Sequence, residues 1–151
     1  MRELFENCSH SAARSFPLAA ILAGLLFALV TLLFALRAEG PALDTTEGRC
    51  AYLASLGYEA DRASEELKEV VFPKEFDAVL ENYNALQLSQ GFDLRRAAGK
   101  PCLCCSYDLA AYPGWEGRVI AVLYIRHGRL IGGDVHTADV NGFMALLLPS
   151  S

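Results

Sequence analysis

The sequence predicts an α+β domain held behind a single N-terminal membrane helix. Three observations carry that expectation. Phe16–Leu36 is an uninterrupted apolar run with no charge, and Thr31 is its only hydroxyl residue. Two later segments repeat apolar residues at helical spacing, and three closing segments alternate with period two. The strands follow one another through short turns, which implies antiparallel pairing, so the predicted fold is an antiparallel sheet of about four strands with helices packed on one face.

Residues 1–15 read as a polar tail in which Cys8 and His10 are ordinary residues. The 21 residues from Phe16 to Leu36 would rise about 31 Å as a helix, enough to cross the hydrocarbon core of a bilayer. A buried globular helix of this length would show a polar face, and this one has none. A cleaved signal peptide would have a shorter apolar region and small residues at its end, whereas here Arg37 follows Leu36 directly. Arg2 and Arg14 precede the run and Arg37 and Arg49 follow it, so the positive-inside bias is small. The short leading tail and the larger following domain favour an N-terminus inside the cytoplasm. Residues 16–36 are then a signal-anchor in the cell membrane and 44–151 an extracytoplasmic domain.

Residues 37–43, with Gly40-Pro41, read as a linker. A helix is expected to start at Asp44-Thr45-Thr46-Glu47, where a capping acceptor precedes a glutamate by three residues. Cys50, Leu53 and Leu56 form its stripe, and Gly57 ends it in the left-handed position before an apolar Tyr58. A charged patch over 59–66 leads to a β-branched strand at Leu67–Phe72. Pro73 is expected at the first position of the second helix, with Phe76, Val79, Leu80, Tyr83 and Leu86 on its inner face. Gly91 stops it and Phe92 folds back.

Strands are then expected at Cys102–Ala110, Arg118–Arg126 and Arg129–Val135, with turns at Pro113-Gly114 and His127-Gly128. Val119–Ile125 is apolar on both faces, which places it centrally. The apolar segment Ala138–Leu148 is expected to close the domain as a helix. The predicted order after the span is α-β-α-β-β-β-α.

From Arg37 to Ser151, 11 Lys and Arg face 16 Asp and Glu, a net charge of −5. No basic run exceeds Arg95-Arg96, so neither nucleic acid nor anionic headgroups are natural partners. No Ser–His–Asp signature, nucleophile elbow, phosphate loop or His-Glu-x-x-His run is present, and no cofactor is expected.

Three groups of residues remain as candidates. Cys102, Cys104 and Cys105 cluster, but on a strand the first two face one way and the third the other, which suits packing better than tetrahedral metal binding. A disulfide from Cys50 to one of them is an open alternative in an oxidising exterior. Asp134 and His136 share a strand face, where a carboxylate could orient an imidazole; the plainer reading is a polar strand end, with Asp139 capping the last helix. Asn82, Asn84, Gln87 and Gln90 lie along the second helix, and a ligand groove beside it would use Tyr83, Asn84 and Gln87.

The run Tyr83-Asn84-Ala85-Leu86-Gln87-Leu88-Ser89-Gln90-Gly91-Phe92-Asp93-Leu94 adds a resemblance. With Gly99-Lys100, Ser106-Tyr107, Tyr112-Pro113 and Ile131-Gly132-Gly133-Asp134, it is similar to the domain of unknown function numbered 4830. That family is found mainly in clostridia and their relatives, often behind one N-terminal membrane helix. The resemblance covers about Arg49 to Leu147 and departs at Cys105, where the family usually has an aromatic. It implies fold and topology and transfers no site, since the family has no established activity. The functional expectation is a membrane-anchored binding or interaction module for a peptide or envelope protein. The alternative is a small metal- or thiol-dependent enzyme using Asp134 and His136 or the cysteines 102–105.

Overall fold

A computed structural model of the chain describes residues 24, 26, 27, 29, 42–139 and 141–148. The chain divides into two units, Met1–Glu39 and Gly40–Ser151. In the first, Gly24, Leu26, Phe27 and Leu29 are helical, and the three large side chains are exposed. The rest of the expected span, the tail 1–15 and most of the linker lie outside the described residues. Among the described residues no helix is long and apolar enough to cross a membrane.

The second unit is α+β. Helix α1 covers Thr46–Ser55, β1 Glu66–Val71, α2 Ala78–Ser89, β2 Pro101–Asp108, β3 Val119–Arg126, β4 Arg129–Thr137 and β5 Met144–Leu146. Short 3₁₀ turns at Arg62–Ser64 and Leu94–Ala97 precede β1 and β2. The strands form one antiparallel sheet in sequence order, with β3 in the middle. The double-sided apolarity of Val119–Ile125 is therefore that of a central strand.

The same property overturns the expectation that the helices share a face. A central strand that is apolar on both sides needs cover on both. Leu53 of α1 packs with Cys105, Tyr107, Leu123 and Val135 on one face of the sheet. Leu80 and Tyr83 of α2 pack with Phe72, Leu94, Cys102 and Tyr124 on the other. Leu43, placed in the linker from sequence, is already part of the first cluster.

Local chemistry sets most element ends. Thr45, one residue later than expected, caps α1 by accepting from the Gly48 N–H at 3.1 Å. Both helices end in a Schellman arrangement: Tyr58 N–H reaches Leu53 O and Phe92 N–H reaches Gln87 O, each at 3.0 Å, around Gly57 and Gly91 at φ +90° and +86°. His127 and Gly128 join β3 to β4 with φ +52° and +69°, the signature of a type I′ hairpin.

Two expected helical segments differ. Pro73 does not begin α2; Asp77 does, accepting from Leu80 N–H at 2.8 Å. The inward face consequently runs through Leu80, Tyr83, Asn84 and Gln87, and Val79 is 76% exposed. Nor does Ala138–Leu148 close the domain as a helix. Asp139 accepts from Gly142 N–H at 3.0 Å in a turn, and Met144–Leu146 returns as a fifth strand beside β4. Thr137 bonds Phe143 through both its backbone and its hydroxyl, at 3.1 and 3.2 Å, which fixes the reversal. An apolar run this short carries no periodicity that separates strand from helix.

Leu53 is fully buried and Leu86 is not. Leu53→Ala should cost roughly 2–5 kcal/mol and Leu86→Ala distinctly less. Equal shifts in the denaturation midpoints of the two variants would contradict these helix orientations.

Candidate functional site

The strongest site geometry lies where α2 crosses β4 and β5. Gly132 lets the helix approach β4 closely, whereas Gly133 is confined by the β3 backbone and by Leu147 on the other face. A Cβ on Gly132 would stand 2.8 Å from a Leu94 methyl, and one on Gly133 2.5 Å from the Val122 carbonyl oxygen. Into the space beside Gly132 Gln87 places its amide: Nε2–H donates to Gly133 O at 3.0 Å, and Gly133 N–H donates to Oε1 at 2.9 Å. Gln90 extends the clamp. It donates to the same carbonyl at 3.1 Å and accepts from Leu148 N–H at 2.9 Å. Asn84 accepts from Leu94 N–H at 2.8 Å and anchors the segment after the helix.

Of the three residues chosen from sequence, Asn84 and Gln87 are thus buried and occupied by backbone groups. Tyr83 has a different setting. Its hydroxyl donates to Oδ2 of Asp134, and its ring meets Tyr124 edge-on with centroids 6.4 Å apart. Asp134 is 2% exposed, and its Oδ1 accepts from Nδ1–H of His136 at 2.6 Å. The alternate-residue spacing therefore does bring Asp134 and His136 together, and Tyr83 completes a chain that sequence did not link. His136 Nε2 has no hydrogen-bond partner among the described residues, and its side chain keeps 29% exposure.

The electrostatics follow from this placement. Burial, then the Asp134 charge, drives the Tyr83 pKa far up, so Tyr83 is a fixed donor. Burial likewise pushes Tyr124 to about 12. The Asp134 bond raises His136, against the opposing pull of burial.

Tyr83 also forms part of the wall of an open groove of about 590 Å³ between α2 and β5. Val79, Leu80, Leu86 and Met144 supply its apolar surface, with Asp77 and Asn82 among the polar lining residues. Asn84 and Gln87 do not line it.

A second polar cluster, not anticipated from sequence, serves packing. Arg49 is 2% exposed and bonds Glu65 Oε1 at 2.7 Å, Tyr107 Oη at 2.7 Å and Leu43 O at 2.9 Å. Burial works against its charge, but the Glu65 and Tyr107 bonds outweigh it. Every donor here has an internal acceptor, and the cluster ties α1 to β2 and to the turn before β1.

The cysteines take the expected faces: Cys102 lies in the α2-side cluster and Cys105 in the α1-side one. Cys50, Cys102, Cys104 and Cys105 are free thiols. Burial raises all four, Cys105 to about 11, which disfavours the thiolate that nucleophilic or metal chemistry uses. Among the described residues no group of three or more His, Cys, Asp or Glu is placed to hold a metal ion.

Two outcomes are expected. Cys105 should label with a thiol reagent only as fast as the domain opens; a fast, pH-sensitive reaction would contradict its setting. The folded His136 has a pKa above its unfolded value near ~6.5, so its stabilisation is complete below that value and is lost as pH rises through the folded one. The stability gap between the wild type and His136→Gln should therefore narrow as the pH rises from below the unfolded value through the higher folded one, and a gap that widened would refute the Asp134–His136 pairing. Compared with family models, curated proteins and solved structures, the chain matches none.

Proposed function

We propose that the chain is a membrane-anchored binding module whose extracytoplasmic domain takes a partner protein or peptide in the groove between α2 and β5. The observation that carries this reading is the groove itself: Val79 and Met144 stand 76% and 52% exposed around a concavity that no described residue fills. Large apolar side chains grouped in a concavity mark contact sites more often than solvated surface. Asn84, Gln87 and Gln90 fit the same reading as its scaffold, since they hold the helix wall at a fixed distance from the sheet. The charge-free segment 16–36 supports the anchor.

One observation favours a second reading. Asp134 orients an imidazole whose other nitrogen is open, the arrangement of a general base. In that case the chain is a small acid–base enzyme. The raised thiols make the cysteine version of that alternative the weaker one.

A photoreactive side chain at Val79 or Met144 should form adducts in native membranes, whereas one at Lys68 or Glu116 should not. Indiscriminate adducts, or none at the groove, would defeat the binding reading. A reporter fused after Ser151 should behave as exported, and a cytoplasmic readout would defeat the topology.

A further inference from the structure

The two edges of the sheet are unlike. β1 exposes Glu66, Lys68 and Glu69 along its length, the kind of charged edge that discourages pairing. The segment 143–148 at the other edge reads Phe-Met-Ala-Leu-Leu-Leu, without a charge or a proline before residue 149. β5 is the last strand of the sheet, so among the described residues nothing pairs with its outer side.

That edge is flanked by concavities on both faces. Met144 is opposite His136 and belongs to the α2-side groove of about 590 Å³. Ala145 is opposite Val135, whose side chain lies in the α1-side core, and it lines a second concavity of about 520 Å³ with Leu56, Tyr58 and Tyr112. Successive side chains of a strand alternate between faces. A strand laid against β5 would therefore send its side chains by turns into the two concavities.

We propose that β5 is a site of strand addition for an extended peptide carrying three or four consecutive apolar residues between basic flanks. The ladder would supply main-chain hydrogen bonds and the concavities side-chain selection. Asp77 lines the α2-side groove, and among the described residues no Lys or Arg lines either concavity, which is the charge complement of a Lys- or Arg-flanked segment. A second copy of β5 fits less well. Paired about a two-fold axis at Ala145, it would offer only the alanine methyl to the α1-side concavity, because Leu147 is fully buried in its own core. This inference rests on the groove reading above and deepens it by naming the class of partner.

The test uses the full chain in detergent micelles and a labelled peptide, Lys-Thr-Val-Leu-Val-Leu-Thr-Lys. Two further versions carry N-methyl groups on both valines or on both leucines. An edge strand bonds its neighbour through alternate residues only. One methylated version should therefore lose affinity by about tenfold or more while the other binds like the parent, since a lost ladder bond is of that order. Bound peptide should also slow amide exchange across 144–146. Replacing the flanking lysines by glutamates should weaken binding.

Equal binding of both methylated versions would overturn strand addition; the groove reading would survive if Met144→Asp then abolished binding of all three peptides. No binding by any peptide would overturn the inference, and photo-adducts at Val79 and Met144 would still uphold the groove. Protection of 144–146 that grows with protein concentration in the absence of peptide would overturn it in favour of a second copy.

Discussion

The amide of Gln87, closed on both backbone groups of Gly133, is the contact on which the α2 side of the domain depends. It is a two-point bond between a helix and the backbone of a strand, and it fixes rotation of the helix as well as its distance. With α2 held there, Tyr83 reaches Asp134, Asn84 reaches the segment that leads into β2, and Gln90 reaches the chain just beyond β5. Without Gln87 the buried Gly133 N–H would lack a partner, at a cost of roughly 1–3 kcal/mol, so no apolar residue replaces this glutamine without loss even though Gln90 still reaches the carbonyl. Gly132 is the other half of the constraint, since any side chain there would occupy the place of the amide or of Leu94.

On the α1 side a charged cluster has the corresponding role. Arg49, Glu65 and Tyr107 come from the first helix, a turn and the second strand, and they satisfy one another away from water. The net value of such a cluster is small against a well-packed apolar one, but loss of a single member strands a buried charge. The two faces of β3 are thus sealed by different means: a neutral amide clamp on one and an ion pair with a phenol on the other.

What sequence revealed and what it missed divide by the range of the interaction. Gly57, Gly91 and His127-Gly128 were legible because left-handed backbone is a local demand that few residues meet. Asp134 and His136 were legible as a pair because a strand's period is two. The burial of Asn84 and Gln87 was not, since an amide on a helix looks solvated until its partner, 46 residues away for Gln87, is known. Arg49 was hidden for the same reason. The fifth strand could have been found from Asn141-Gly142, a turn dipeptide that leaves only Phe143–Leu148 before Pro149, too few residues for a helix of ordinary length. The start of α2 was misplaced because Pro73 satisfies the first-turn rule equally well on paper, while Asp77 supplies an acceptor that the backbone uses.

The hairpin at His127-Gly128 has a consequence for how the domain assembles. It brings β3 and β4 together across two residues, whereas Arg49 meets Tyr107 across 58 and Leu148 meets Gln90 across 58. Closing a short loop loses less chain entropy than closing a long one, so the central pair of strands can form on contacts of its own neighbourhood. By the same measure β5, joined to β4 across residues 138–143, adds next, and β1, joined to β2 across 72–100, adds last. β5 is thus an early edge that lacks charge and is flanked by open concavities, and it stands available to other chains while the rest of the sheet assembles. In this fold the sequence's charge protects β1 during that interval, and β5 has no such protection.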